Sequence, residues 1–198
     1  MALQDIADAV EDGGKRRRDR IIAVYIGVLA VILAISSVGG GNATKDATAR
    51  NIEASNTWAF FQAKNIRRHG VRLQISEFEI MLASEPSLTE TARATIEKKL
   101  DELRKEETRY TSEPETREGT KELMAKARDI ERQRDLAMAK DPYFDYGQAL
   151  LQIAIVLASV SIITGGSALL ALSGLLAVVG TAATLNGFFL FANVPLIG

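Results

Sequence analysis

The 198 residues carry 24 Lys/Arg against 25 Asp/Glu, a formal charge of −1, so there is no basic excess of the kind that holds nucleic acid. Zero cysteines exclude disulfides and thiol chemistry. The averages conceal a partition: residues 40–145 hold 19 Lys/Arg and 20 Asp/Glu, whereas residues 146–198 hold no Lys, Arg, Asp, Glu or His, a pattern that reads as a water-exposed middle between membrane-embedded ends.

Residues 1–20 form a short N-terminal segment in which Leu3, Ile6, Ala7 and Val10 allow one or two amphipathic turns. Lys15, Arg16, Arg17, Arg18 and Arg20 then abut residues 21–38, which contain no charge and reach about 27 Å as a helix, close to the hydrocarbon thickness. This run predicts a first transmembrane helix. It exceeds the usual apolar core of a signal peptide, and Ser36-Ser37-Val38-Gly39-Gly40-Gly41 matches a cleavage site only loosely. The five basic residues determine topology under the positive-inside rule: the N-terminus is expected in the cytoplasm, and both the middle of the chain and the C-terminus outside.

Residues 39–148 predict a soluble helical stalk. Ile52, Ala59, Ile66, Leu73 and Ile80 recur every seven residues, and Asn56, Ala63 and Gly70 follow the first three by four, the spacing of a coiled-coil seam. Trp58, Phe60, Phe61, Val71, Ile75, Phe78 and Leu82 widen the apolar surface beyond one stripe, which predicts several packed helices. Gly70 is a candidate bend. Ser84-Glu85-Pro86-Ser87 interrupts the pattern, and Ser87 with Glu90 has capping-box spacing for a second helix whose inner face is Leu88, Ala92, Ile96, Leu100, Leu103 and Tyr110. A break around Ser112-Glu113-Pro114 leads to a third helix with Leu123, Ala127, Ile130 and Ala137 inward. Both ends of the stalk return to one membrane face, so the middle helix is expected to cross, cap or lie obliquely.

Asp141-Pro142 suits a helix start or bend. Tyr143, Phe144 and Tyr146 resemble an interfacial aromatic belt ahead of a second span at 149–164. Gly165-Gly166 predicts a tight turn, and 167–191 a third span before a tail at 192–198. Along that span Gly166, Ser173, Gly180 and Gly187 lie seven apart, with Leu170, Ala177 and Thr184 between them. Small residues at this spacing let helix backbones approach closely, either within the chain or between copies. Gln152, Asn186 and Asn193 are the polar groups at or within these spans; they either line a path or bond between helices. The fold class that results is an all-α membrane protein of three transmembrane helices, with an extended, coiled-coil-like helical insert between the first and second.

No catalytic constellation emerges. The glycine runs lack a phosphate-loop setting, and the single histidine, His69, lies among Arg67, Arg68 and Arg72 without a second ligand. The expectation is no enzyme activity, no cofactor, no metal and no nucleic-acid partner.

The string Asn51-Ile52-Glu53-Ala54-Ser55-Asn56-Thr57-Trp58-Ala59-Phe60-Phe61-Gln62-Ala63-Lys64, with Lys121-Glu122-Leu123 and the run from Gln148 through Ser159, resembles an uncharacterised bacterial membrane-protein family known only as a domain of unknown function. The resemblance covers most of the chain and implies a bacterial inner-membrane location, with no activity or catalytic residue to carry over. The residues expected to pack or interact are Ile52, Trp58, Ala59, Ala63, Ile66 and Leu73 in the stalk, and Gly166, Ser173, Ala177, Gly180, Thr184 and Gly187 in the last span. The expected partners are the lipid bilayer and either a second copy, in a homo-oligomer, or other membrane proteins.

Overall fold

The computed structural model describes the backbone of residues 2–194, with side chains from residue 13 onward. The amphipathic face expected of Leu3 to Val10, and the tail beyond Val194, lie outside the described residues. Four helices follow in order: α1 (Ala2–Ser84), α2 (Glu90–Thr111), α3 (Thr120–Thr164) and α4 (Ser167–Phe189). No strand occurs among the described residues. Stretches of α1, α3 and α4 are long and apolar enough to cross a membrane.

Several boundaries differ from the sequence expectation. α1 passes unbroken through residues 39–41, where the stalk was expected to begin, and through Gly70, the candidate bend. Each helical glycine costs about 1 kcal/mol against alanine, and the flanking turns supply enough hydrogen bonding to keep the helix intact. Pro142 lies inside α3 without ending it, although proline removes the bond to the carbonyl four residues back and its ring crowds that carbonyl. The cap of α2 is Thr89, not Ser87: Thr89 has extended backbone angles and its Oγ1 accepts from the Ala92 amide at 3.3 Å.

The chain divides into two compact units, one from Met1–Ala47 with Asp135–Gly198, the other Thr48–Arg134. In the middle unit the pairings set the direction of every helix. Arg104 reaches Glu79 at 2.7 Å, Arg72 pairs with Glu107, Arg68 donates to Thr120 at 3.2 Å, Trp58 Nε1 donates to Glu131 at 2.9 Å and Arg134 reaches Asn51. Partner numbers fall as α1 numbers rise, so α2 and then α3 both run antiparallel to α1, one after the other along it. This corrects the expected crossing or oblique middle helix: α2 descends beside α1, and α3 continues the descent.

The joint between them is built from polar caps. Glu122 accepts from Ser112 Oγ at 2.6 Å and from the Glu113 amide at 3.2 Å, while Thr120 Oγ1 donates to the Thr111 carbonyl at 3.3 Å. The hydroxyl of Ser112 in particular holds the Glu122 carboxyl below the usual carboxylate range, against a smaller opposing effect of burial. Val71, Ile75, Leu100 and Leu103 form the apolar core between α1 and α2, with Phe78, Leu82, Ile96 and Tyr110 packed on it.

In the terminal unit α1, α3 and α4 form a three-helix bundle. Its core is Leu29, Leu151, Ala154 and Ala177, flanked by Tyr25, Ile32, Leu33, Ile155 and Leu176. After α4, Leu190 takes a left-handed conformation at φ 50 and its amide bonds Asn186 O at 2.8 Å.

Candidate interaction surfaces

The small-residue face of α4 is occupied within the chain. Ser173, Ala177, Gly180, Thr184 and Gly187 are buried, and Gly166 is half-buried at the turn. A Cβ on Gly180 would lie 3.1 Å from the Gly147 carbonyl oxygen and 3.1 Å from Leu151 Cγ. One on Gly187 would lie 3.0 Å from the Phe144 ring. Of the two readings open for this stripe, packing within the chain is the one seen: α3 fills it at Gly180 and Gly187.

Hydroxyls reinforce that packing. Tyr25 donates to Ser173 Oγ at 3.1 Å, and Ser173 donates to the Ala154 carbonyl at 2.7 Å, so one chain of bonds joins α1, α4 and α3. Farther along, Thr184 Oγ1 lies 3.1 Å from Ser36 Oγ, which donates to the Phe144 carbonyl at 3.4 Å. Such bonds are each worth about 0.6 kcal/mol in a membrane.

Sequence reasoning missed the Phe144 cradle. The ring is 2% exposed and sits against Gly39 and Gly40 of α1 and Gly187 of α4, edge-on to Phe188 at 4.8 Å between centroids. A Cβ on Gly39 would fall 2.5 Å from Phe144 Cε1 and 2.8 Å from Phe188 Cζ. Gly39 and Gly40 thus permit a close approach rather than forming a linker. The glycines close the first apolar run and Tyr143, Phe144 and Tyr146 precede the second, but sequence order does not reveal that they meet.

Arg18 of the N-terminal cluster bonds across the bundle: its Nη1 donates to the Gly165 carbonyl at 2.8 Å. A guanidinium there complements the carbonyl end of α3. Lys15, Arg16, Arg17 and Arg20 are exposed. Asn186 lines no path; its amide closes a ring with Ala192, donating to the carbonyl at 2.7 Å and accepting from the amide at 2.9 Å. Tyr143 holds the same segment, donating to the Ala192 carbonyl at 3.2 Å and accepting from the Val194 amide at 3.0 Å. Beside it a cavity of about 540 Å³ is lined by Asp135, Met138, Ala139, Pro142, Tyr143, Leu190, Ala192 and Asn193.

In the middle unit the expected seam is on the wrong side of α1 to pack against α2 and α3. Ile52, Ile66 and Leu73 are 57%, 71% and 67% exposed, and Ala59 and Ala63 are exposed as well. The face that packs is instead Ala54, Thr57, Phe61, Lys64, Arg68, Val71, Ile75, Phe78 and Leu82, all buried or half-buried. It too follows alternate spacings of three and four, but three of its members are polar. Each finds partners where it lies: Thr57 donates to Glu53 O at 2.8 Å, Lys64 meets Glu118 at 3.3 Å with the rings of Phe60 and Tyr110 nearby, and Arg68 donates from its two terminal nitrogens to Thr120 and Asn65, its buried Nε alone lacking a partner. Trp58 is half-buried beside Phe61, edge to face at 5.4 Å.

A family model described as a domain of unknown function (DUF4337) matches residues 18–190. No curated protein and no solved structure matches.

Proposed function

The chain belongs to that family of unknown function, and from this premise we propose that it is a non-enzymatic, multi-pass membrane protein that self-associates or scaffolds membrane partners through its helical stalk. Its place is a bacterial inner membrane, with the N-terminus cytoplasmic and the middle unit outside. The bond from Arg18 to Gly165 supports that topology, because it sets the α3–α4 turn beside the basic cluster.

One observation carries the reading. The stalk exposes Ile52, Ile66, Leu73 and Ile80, each more than half uncovered, in a row on one face of an otherwise heavily charged unit. Scattered apolar residues need no explanation, whereas a contiguous apolar surface marks an interaction site. The membrane bundle supports the same division of labour, since its small-residue face is already filled by its own helices.

The test is native mass measurement of the full chain extracted in mild detergent. The expected result is a mass above one protomer, or a fixed-stoichiometry complex with another membrane protein. A lone monomer under gentle extraction would refute the reading. Recovery with a transport or respiratory complex, without self-association, would select the accessory-subunit form of the same proposal.

A further inference from the structure

The uncovered face of α1 has its own heptad register. If Ile52, Ala59, Ile66 and Leu73 are taken as d positions, the a positions four residues on are Asn56, Ala63 and Gly70, and all seven are exposed. At about 100° per residue this stripe lies roughly 150° around α1 from the stripe that packs on α2 and α3, so a partner can reach it without disturbing the protomer. The flanking positions are Glu53, Phe60, Arg67 and Gln74 on one side, and Ser55, Gln62, His69 and Ser76 on the other. In a unit crowded with acids and bases these flanks hold one carboxylate and one guanidinium. Parallel pairing would set Ser55 near the partner's Phe60 and Gln62 near the partner's Arg67, with no like charges opposed. Glu77 takes the next a position and ends the tight part of the seam.

We infer that this face is a homodimer interface, in which α1 of one copy pairs with α1 of a second copy, parallel and in register. The inference rests on the self-association proposed above and specifies its surface and partner. Three arguments select a second copy. A single Asn among apolar a positions fixes register and favours two parallel strands, because the two amides then bond each other across the seam. Ala59, Ala63 and Gly70 keep the helix axes close, and identical surfaces satisfy a two-fold interface with themselves. Pairing from Ile52 to Leu73 removes roughly 500 Å² per copy, about 1,000 Å² in total, at the lower bound for a specific interface. Confinement of both copies to one membrane raises their effective concentration and lowers the affinity this interface must supply.

The absence of native cysteine makes the test clean. Single Ala63→Cys, Gly70→Cys and Ser76→Cys variants of the full chain, in native membranes under mild oxidation, are scored for disulfide-linked dimer. A Cβ at Gly70 meets nothing within 4 Å, Ala63 is exposed, and Ser76 is exposed but off the seam. Strong crosslinking at both 63 and 70, at least ten-fold above 76, is the expected result. Crosslinking at only one of 63 and 70 would overturn the parallel register, since an antiparallel pair can bring only one of them together with itself. An oligomer seen by native mass but without crosslinks at 63 or 70 would overturn the interface while leaving self-association standing; a monomer by both measures would remove both. As a second measurement, Ile66→Glu should abolish the dimer while leaving helix content and melting of the protomer unchanged, and a dimer that persists overturns the inference.

Discussion

Substituting alanine separately at Gly39 and Gly41 isolates the effect of the Phe144 cradle. Both glycines are interior to α1, so alanine at either gains about 1 kcal/mol of helix propensity. They differ in what the new methyl meets. At Gly41 nothing lies within 4 Å, whereas at Gly39 the Cβ would fall 2.5 Å from Phe144 Cε1 and 2.8 Å from Phe188 Cζ. The Phe144 ring cannot retreat, because it is 2% exposed and also abuts Gly40 and Gly187. Overpacking of this kind costs about 1–3 kcal/mol. For a chain of this size each kcal/mol moves the melting temperature by about 2–4 °C, so the Gly39→Ala variant should melt about 2–12 °C below Gly41→Ala. The assay is loss of helical circular dichroism on heating in detergent. In a Phe144→Ala background the ring that cannot retreat is gone, the tip of the 40% exposed Phe188 ring can swing aside, and the two alanine variants should melt together. A Gly39→Ala protein that melts at or above Gly41→Ala, or a gap that survives removal of the ring, would refute the cradle.

Gly147→Ala would place a Cβ 2.6 Å from Thr184 Oγ1 and should destabilise the bundle by about 1–3 kcal/mol, read as a lower melting temperature. Tyr25→Phe removes the donor to Ser173 and should cost about 0.6 kcal/mol, measured by denaturant titration in detergent; an unchanged Ser173→Ala background would confirm that the two belong to one chain of bonds. The Glu122 carboxyl is held below its ordinary value of 4.5 chiefly by Ser112. Its folded pKa is thus lower than its unfolded one, so its contribution is complete above the unfolded value and is lost as pH falls through the folded value. Protection of the Glu113 amide, its exchange measured against the intrinsic rate at each pH, should therefore fall below about pH 4.5 in the native protein, and Glu122→Gln should show low protection at all pH and lose that dependence.

Much of the architecture was legible because lipid imposes strict terms. The charge-free run of 53 residues contains two helical stretches apolar and long enough to cross a membrane, and Gly165 at φ +68 is the turn that the glycine pair announced. Along α4 the small residues Ser173, Ala177, Gly180, Thr184 and Gly187 are buried and Gly166 is half-buried, since close backbone approach admits few side chains. The stalk was harder. Two heptad stripes coexist on α1, and aliphatic content favours Ile52, Ile66 and Leu73 over a stripe containing Thr57, Lys64 and Arg68. The second stripe packs because Glu118 and Thr120 supply partners for its charges, and those partners lie more than fifty residues away in sequence. Periodicity reports that a face exists, but not which of two faces finds a mate.

The end-to-end arrangement of α2 and α3 along α1 also writes an order of closure into the chain. In the middle unit the sequence separation of pairs that tie α1 to the other helices climbs from 25 for Glu79 with Arg104, through 52 for Arg68 with Thr120, to 83 for Asn51 with Arg134. For the α1 bonds of the terminal unit it runs from 97 for Thr44 with Asp141 to 148 for Tyr25 with Ser173. Loop-closure entropy grows with separation, so the nearest pairs close first. The α1–α2 hairpin can therefore form while α3 is still being synthesised, and the bundle that anchors the protein is the last part to be completed.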